Sequence, residues 1–291
     1  MFAHLLPYHF EKEAIQWLRD DCPSFDVGGF VVGEKVETSH LYCKESAVLA
    51  GVPYAVAIFA HLGLTCEWKF AEGTFIDVEK LGDSKKRVVI ATVTGKCRLI
   101  LLAERTVLNI LSRASGVATA AHRAKLIKEA HNWHGYVAGT RKTTPGFRAV
   151  EKYALIVGGV ATHRLDLSQM VMLKDNHIWS AGSITNAVTL ARQAAGFSSK
   201  IEVECQSVEE ALEAAKAGAD IVMLDNFTSH TIHAAAREIK QQFPHILIEA
   251  SGGISEGNMA EYMSEAIDII SRGSFTQGYE CIDYSLKIQK V

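Results

Sequence analysis

The chain has 291 residues, 48% of them hydrophobic, and a formal net charge of −3. That length and apolar content bury a large core in one or two domains and exclude a disordered or coiled-coil protein. The near-neutral balance argues against a general nucleic-acid binder, and six scattered cysteines without a C-x-x-C pair exclude a zinc cluster or redox dithiol and suit a reducing compartment.

In chain order, "MFAHLLPYHFEKEAIQWLRDD" is acidic and amphipathic without a sustained apolar h-region. No run approaches the roughly 20 apolar residues that span a bilayer. The expectation is a soluble chain with no membrane partner, in the cytoplasm or alternatively the nucleus. The spacing predicts a helix near Phe10 to Arg19, and the alternation in "LTCEWKF" and "RVVIATVTG" predicts strands, so the first 95 residues or so read as an α+β domain. From Lys96 to about Asn132, apolar residues recur at three- and four-residue spacing without proline, which predicts helix broken near Gly116.

After Gly135, short β-rich runs alternate with helical segments: "YVAGT", "MVMLKDN", "KIEVEC", "IVMLDNF", "LIEASGG" and "IDIISRG". Six βα units are visible, and "VGGVATHR" hides a candidate seventh strand. The stretch "SVEEALEAAKAGAD" has capping-box spacing from Ser207 to Glu210 and the length of a crossover helix. Without a G-x-G-x-x-G turn, a closed α/β barrel is favoured over a doubly wound sheet.

The working residues of such a barrel sit at the C-terminal strand ends. Here those ends deliver Arg141 and Lys142, Lys174, Glu204, Asp225, Gly252 and Gly253, and Gly273. Residues two apart on a strand share a face, so Glu202 lies below Glu204 in the barrel, its charge matched by a buried cation or spent on a metal. Between Arg141 and Lys174 six cations face two anions, a local charge of +4 in a chain that is acidic elsewhere. "EASGGIS" reads as a strand ending in two glycines before a helix, a site where backbone N–H groups approach an anion. Cations, two strand-end carboxylates and a late glycine turn suit a polyanionic substrate with a divalent metal. No Ser/His/Asp order, H-E-x-x-H or P-loop is present, which removes support for acyl hydrolysis, zinc proteolysis and P-loop ATP hydrolysis.

Together "GTRKTTPGFRAVEKYALIVGGVATHRLDL", "MVMLKDNH", "IEVEC", "ADIVMLDNF", "EASGGI" and "LLAERTVLNILSRASGVATA" closely resemble the quinolinate phosphoribosyltransferase family, nearest its eukaryotic members. The resemblance spans nearly the whole chain. It implies an incomplete seven-stranded α/β barrel, residues 116–274, behind an N-terminal α+β open-faced sandwich, residues 1–115, with 275–291 packing back on the latter. It implies transfer of phosphoribose from 5-phosphoribosyl 1-pyrophosphate to quinolinate with decarboxylation and Mg²⁺, on the route to NAD. By matched motifs, Arg105, Arg141, His163, Arg164 and Lys174 face quinolinate, and Lys142 lies at its junction with pyrophosphate. Thr143, in the same loop, is counted among the substrate-binding residues. Glu204 and Asp225 hold Mg²⁺ or ribose hydroxyls, and Ser251, Gly252, Gly253 and Gly273 take the 5-phosphate. Arg105 is shared across a homodimer, the minimum assembly, with a hexamer as the larger alternative.

Arg272 departs from the expected small or apolar residue, and Arg148 falls where a helix begins, solvated or paired near Glu151. Rival readings are a phosphoribosyltransferase taking nicotinate, a barrel aldolase or isomerase using Lys174 as an amine, and a binding protein of the same fold without turnover.

Overall fold

Alternating residues in the first hundred positions pair into an antiparallel sheet in the computed structural model, which describes residues 2–290. Its strands are β1 (Val36–Cys43), β3 (Thr65–Trp68) and β5 (Val88–Lys96), and β2 (Ala47–Val48) pairs separately with β4 (Phe75–Ile76). The last strand of the chain, Tyr284–Ile288, adds to the free edge of β1, with Tyr284 opposite Cys43. Helices α1 (Phe10–Asp21), α2 (Val27–Val32), α3 (Val52–His61) and α4 (Val78–Leu81) accompany these strands.

The long helix α5 runs from Cys97 to Ala130 without the expected break. Gly116 is there for packing: a Cβ on it would stand 2.0 Å from the carbonyl oxygen of Glu280. No described helix is long and apolar enough to cross a membrane.

Two compact units result. One takes the chain up to His122, Thr144–Gly159 and everything from Gly278 onward; the other takes Arg123–Thr143 and Val160–Gln277. The helix α6 (Arg148–Gly158) therefore belongs to the first unit, with Arg148 exposed at its start. The Glu151 carboxylate is buried and taken by Arg113 (Nε 2.9 Å, Nη2 2.8 Å) and by Thr144 (Oγ1 2.8 Å, backbone N 2.9 Å).

The second unit is built on six parallel strands: β6 (Tyr136–Ala138), β7 (Val171–Leu173), β8 (Ile201–Cys205), β9 (Ile221–Asp225), β10 (Leu247–Ser251) and β11 (Ile269–Ser271). They lie in the order β6-β11-β10-β9-β8-β7. Crossovers include α7 (Asp175–Ala181), α8 (Ile184–Ala195), α9 (Val208–Ala217) and α10 (Ser229–Gln242). Ser183, Ser207 and Thr228 cap the last three by accepting the N–H of Asn186, Glu210 and Thr231, and left-handed Gly218 stops α9.

The seventh strand shrinks to a single parallel bridge, Ala161 to Ala138, and among the described residues no ladder joins it to β7. Closure of the ring, expected from the βα repeat alone, therefore fails at this point. The incomplete barrel implied by the resemblance is what forms. Arg164 spans the gap, its Nη2 3.2 Å from Met172 Sδ and its Nη1 3.5 Å from Met170 O.

Candidate active site

Parallel strands carry apolar residues on both faces until they emerge at their C-terminal ends, where polar side chains meet water. Accordingly Val203, Cys205, Val222, Leu224 and Ile248 are buried while Glu204, Asp225 and Ser251 are partly open. A cavity of about 700 Å³ opens there, within the range of small-ligand sites. It is lined by Arg141, Lys142, His163, Arg164, Lys174, Glu204, Asp225, Ser251, Gly252, Gly253 and Gly273. Eleven of the thirteen residues singled out from sequence thus meet at one cavity of the second unit. Thr143 does not line it and turns its hydroxyl to the Arg141 carbonyl at 3.4 Å. Arg105 is exposed on α5 in the first unit.

Lys142 is held by its backbone: its N–H donates to Thr140 Oγ1 at 3.1 Å and its carbonyl accepts from Thr276 Oγ1 at 2.6 Å. The Lys142 stem runs past Gly273, whose absent Cβ would sit 3.2 Å from its Cδ. Arg141 has a buried Nε with no hydrogen-bond partner, so a donor waits at the cavity.

Lys174 donates to Glu204 Oε2. Asp225 Oδ2 accepts from Asn226 Nδ2 at 2.6 Å and Gln206 Nε2 at 3.3 Å. Each carboxylate keeps one oxygen outside these bonds. Two hard oxygen donors at an open cavity fit Mg²⁺ chemically.

Gly252 and Gly253 both have positive φ (89° and 64°), a conformation glycine adopts without steric cost, so the strand turns sharply at the cavity rim. A Cβ on Gly252 would strike Asn226 Oδ1 at 2.3 Å, whereas one on Gly253 would meet nothing within 4 Å. Asn258 staples the turn by accepting from Ser255 N at 2.7 Å and donating to Gly253 O at 3.2 Å. The helix expected after this turn is absent: only a 3₁₀ segment, Met259–Tyr262, follows. No α-helix dipole therefore reaches this turn.

Glu249, which lines the cavity, and Glu202 are both fully buried. The cation expected to match Glu202 is not within hydrogen-bond reach, since the nearest nitrogen, His163 Nε2, is 3.6 Å away and both Glu202 oxygens lack partners. Burial first, and then the Glu249 carboxylate, hold Glu202 well above the usual carboxylate range. His163, Glu202 and Glu249 also form a group of donor atoms within 4.8 Å of one another. Glu249 escaped the sequence reading, although its place two residues before Ser251 on β10 was the signal for a shared face.

Arg272, where a small or apolar residue is expected, is buried, lines the cavity, stacks 4.5 Å over Phe275, and has an unpartnered Nε. It does not point to solvent.

The family model "Quinolinate phosphoribosyl transferase, C-terminal domain" matches residues 117–287, and the N-terminal domain of the same family matches 27–115. The chain belongs to the quinolinate phosphoribosyltransferase family. Among family members, the chain is 48% identical to the nicotinate-nucleotide pyrophosphorylase [carboxylating] of Dictyostelium discoideum over 99% of both sequences. It is 46% identical to the protein of that name from Homo sapiens over 94% of this chain and 89% of the human one. The solved nicotinate-nucleotide pyrophosphorylase from Francisella tularensis superposes with a TM-score of 0.87 at 30% identity, covering 98% of each chain. The incomplete barrel is therefore the family's fold in this chain.

Proposed function

We propose that the chain transfers phosphoribose from 5-phosphoribosyl 1-pyrophosphate to quinolinate, releasing pyrophosphate and CO₂ and leaving nicotinate mononucleotide for NAD synthesis. The observation that carries this reading is one cavity holding Arg141, Lys142, Arg164, Lys174 and Arg272 against Glu204 and Asp225, in a quinolinate phosphoribosyltransferase. Five cations answer a dicarboxylate, a phosphate and a pyrophosphate. Nicotinate, with one carboxylate, needs fewer.

Arg141 and Arg164 pair with quinolinate carboxylates, where a planar guanidinium can bind in bidentate fashion. Lys142 places a compact charge between quinolinate and the departing pyrophosphate. The Ser251-Gly252-Gly253 turn and Gly273 hold the 5-phosphate. As the pyridine nitrogen attacks the ribose C1 and pyrophosphate leaves, positive charge grows on the sugar, and Glu204 and Asp225 stabilise it. The same two carboxylates would hold Mg²⁺, whose charge would favour departure of pyrophosphate. The positive charge on the quaternised ring nitrogen then stabilises the electron pair left on the neighbouring ring carbon when its carboxylate departs as CO₂, and that carbon takes up a proton from solvent. No general base is required.

Arg105 completes the charge from a second copy of the chain. Exposed apolar residues Phe25, Val27, Phe30 and Val31 support association of copies. Six free cysteines support a reducing compartment, the cytoplasm or nucleus. Steady-state assays with quinolinate and with nicotinate test the reading: turnover of quinolinate only is expected, and equal turnover of both contradicts it. Inactive Arg105→Ala and Lys142→Ala proteins should regain activity when mixed, and no recovery after demonstrated subunit exchange contradicts the shared site.

A further inference from the structure

Strand β11 pairs with β10 and emerges into Arg272-Gly273-Ser274 at the cavity. Ser271 Oγ donates to Ser251 Oγ at 3.1 Å, so the two strand ends are tied side by side and Arg272 follows at the same rim as the Ser251-Gly252-Gly253 turn. Its setting is apolar. The guanidinium stacks 4.5 Å over the ring of buried Phe275, and Nη1 stands 4.0 Å from Sδ of buried Met259. A methionine or leucine would pack there without desolvating a charge.

An arginine in this place is costly. It remains a cation although burial weighs first against that form, and among the described residues no carboxylate pairs with it. Glu256, whose charge favours the guanidinium, is itself taken by Arg123, with Nε 3.0 Å from Oε2 and 3.2 Å from Oε1. Nη2 donates to Ser274 Oγ at 3.3 Å, and Nε has no partner at all. With only 6% of its surface exposed, Arg272 is a buried cation at a cavity wall with a donor to spare, which is the place of an anionic ligand. Position selects the anion. In the strand order Arg272 lies next to the glycine turn of β10, and the strands that deliver Asp225, Glu204 and Lys174 lie beyond it. No α-helix dipole serves that turn, so a charge for its ligand has to come from a side chain.

We propose that Arg272 is a further substrate-binding residue, whose guanidinium holds the 5-phosphate of phosphoribosyl pyrophosphate at the glycine turn with Nε as one of its donors. This rests on the reading that phosphoribosyl pyrophosphate is the donor substrate.

Calorimetric titrations of ribose 5-phosphate and of inorganic pyrophosphate, without Mg²⁺ or quinolinate, test it on wild type, Arg272→Met and Arg272→Lys. Arg272→Met should weaken ribose 5-phosphate roughly 10- to 100-fold, the range of a hydrogen bond to a charged group, and keep pyrophosphate within about 3-fold. Arg272→Lys, which keeps a charge but not the Nε donor or the planar fork, should fall between. In steady state Arg272→Met should raise the KM for phosphoribosyl pyrophosphate and leave that for quinolinate within about 3-fold. Unchanged affinity for ribose 5-phosphate, or a loss confined to pyrophosphate, overturns the proposal. So does an equal rise in both KM values, the mark of a purely structural arginine. If Arg272→Met does not fold, Arg272→Lys decides: wild-type affinity for ribose 5-phosphate in it overturns the proposal. Arg272-dependent binding of ribose 5-phosphate in a chain that does not turn over quinolinate supports the proposal and overturns only the reaction reading.

Discussion

Lys174, just beyond β7, donates its ammonium to Glu204 near the end of the neighbouring strand β8. In the substrate-free site the pair neutralises itself. On the proposed reading, a substrate carboxylate competes for Lys174 and leaves Glu204 to face the cationic sugar. Lys174→Met and Glu204→Gln should each lower kcat roughly 10²- to 10³-fold, the cost of removing one preorganised electrostatic contact. The double variant should lose less than the product of the two, because the residues act on each other. Fully multiplicative losses in a double-mutant cycle contradict the coupling.

The glycine turn separates two kinds of damage. Gly252→Ala meets Asn226 at 2.3 Å and a left-handed backbone, while Gly253→Ala meets only the backbone penalty. The second should cost about 1–2 kcal/mol in urea unfolding, and the first more. Gly252→Ala should also raise the KM for phosphoribosyl pyrophosphate well beyond that of Gly253→Ala. Indistinguishable variants would mean that Asn226 does not restrict the turn.

The pH dependence follows from Glu202. Its folded-state pKa is raised by burial, so above the unfolded value of about 4.3 the folded chain keeps a proton that the unfolded chain loses. Stability must fall as pH rises through that window, by up to about 1.4 kcal/mol per pH unit. Glu202→Gln carries the neutral form at every pH. Its urea midpoint should exceed that of wild type by a margin that grows as pH rises above the unfolded value, and a pH-independent difference would contradict the assignment.

Arg113 and Glu151 form the buried ion pair of the first unit and fix Thr144, which takes both oxygens of the same carboxylate. Removing one partner strands a buried charge. Arg113→Ala should therefore destabilise the protein by about 3–5 kcal/mol, read as a lower urea midpoint, and a change below 1 kcal/mol would show that water compensates.

The parts of the site legible in the sequence are those set by local period. Glu204 and Asp225 follow from apolar runs that end in a carboxylate, because parallel strands are buried until they emerge. Capping at Ser207 was equally local. What stayed hidden depends on contacts distant in sequence: the Arg113–Glu151 pair spans 38 positions, and Glu249 meets His163 across 86. The helix interruption expected at Gly116 failed because that glycine answers a neighbouring carbonyl, a fact no local pattern carries. The seventh strand is one residue pair long, too short for any alternation to register.

The central claim is tested most directly by one stoichiometry. Purified protein given Mg²⁺, phosphoribosyl pyrophosphate and quinolinate labelled in the carboxyl group beside the ring nitrogen should release labelled CO₂, pyrophosphate and nicotinate mononucleotide in equal amounts. Mononucleotide that retains the label, or no product from quinolinate, would contradict the account.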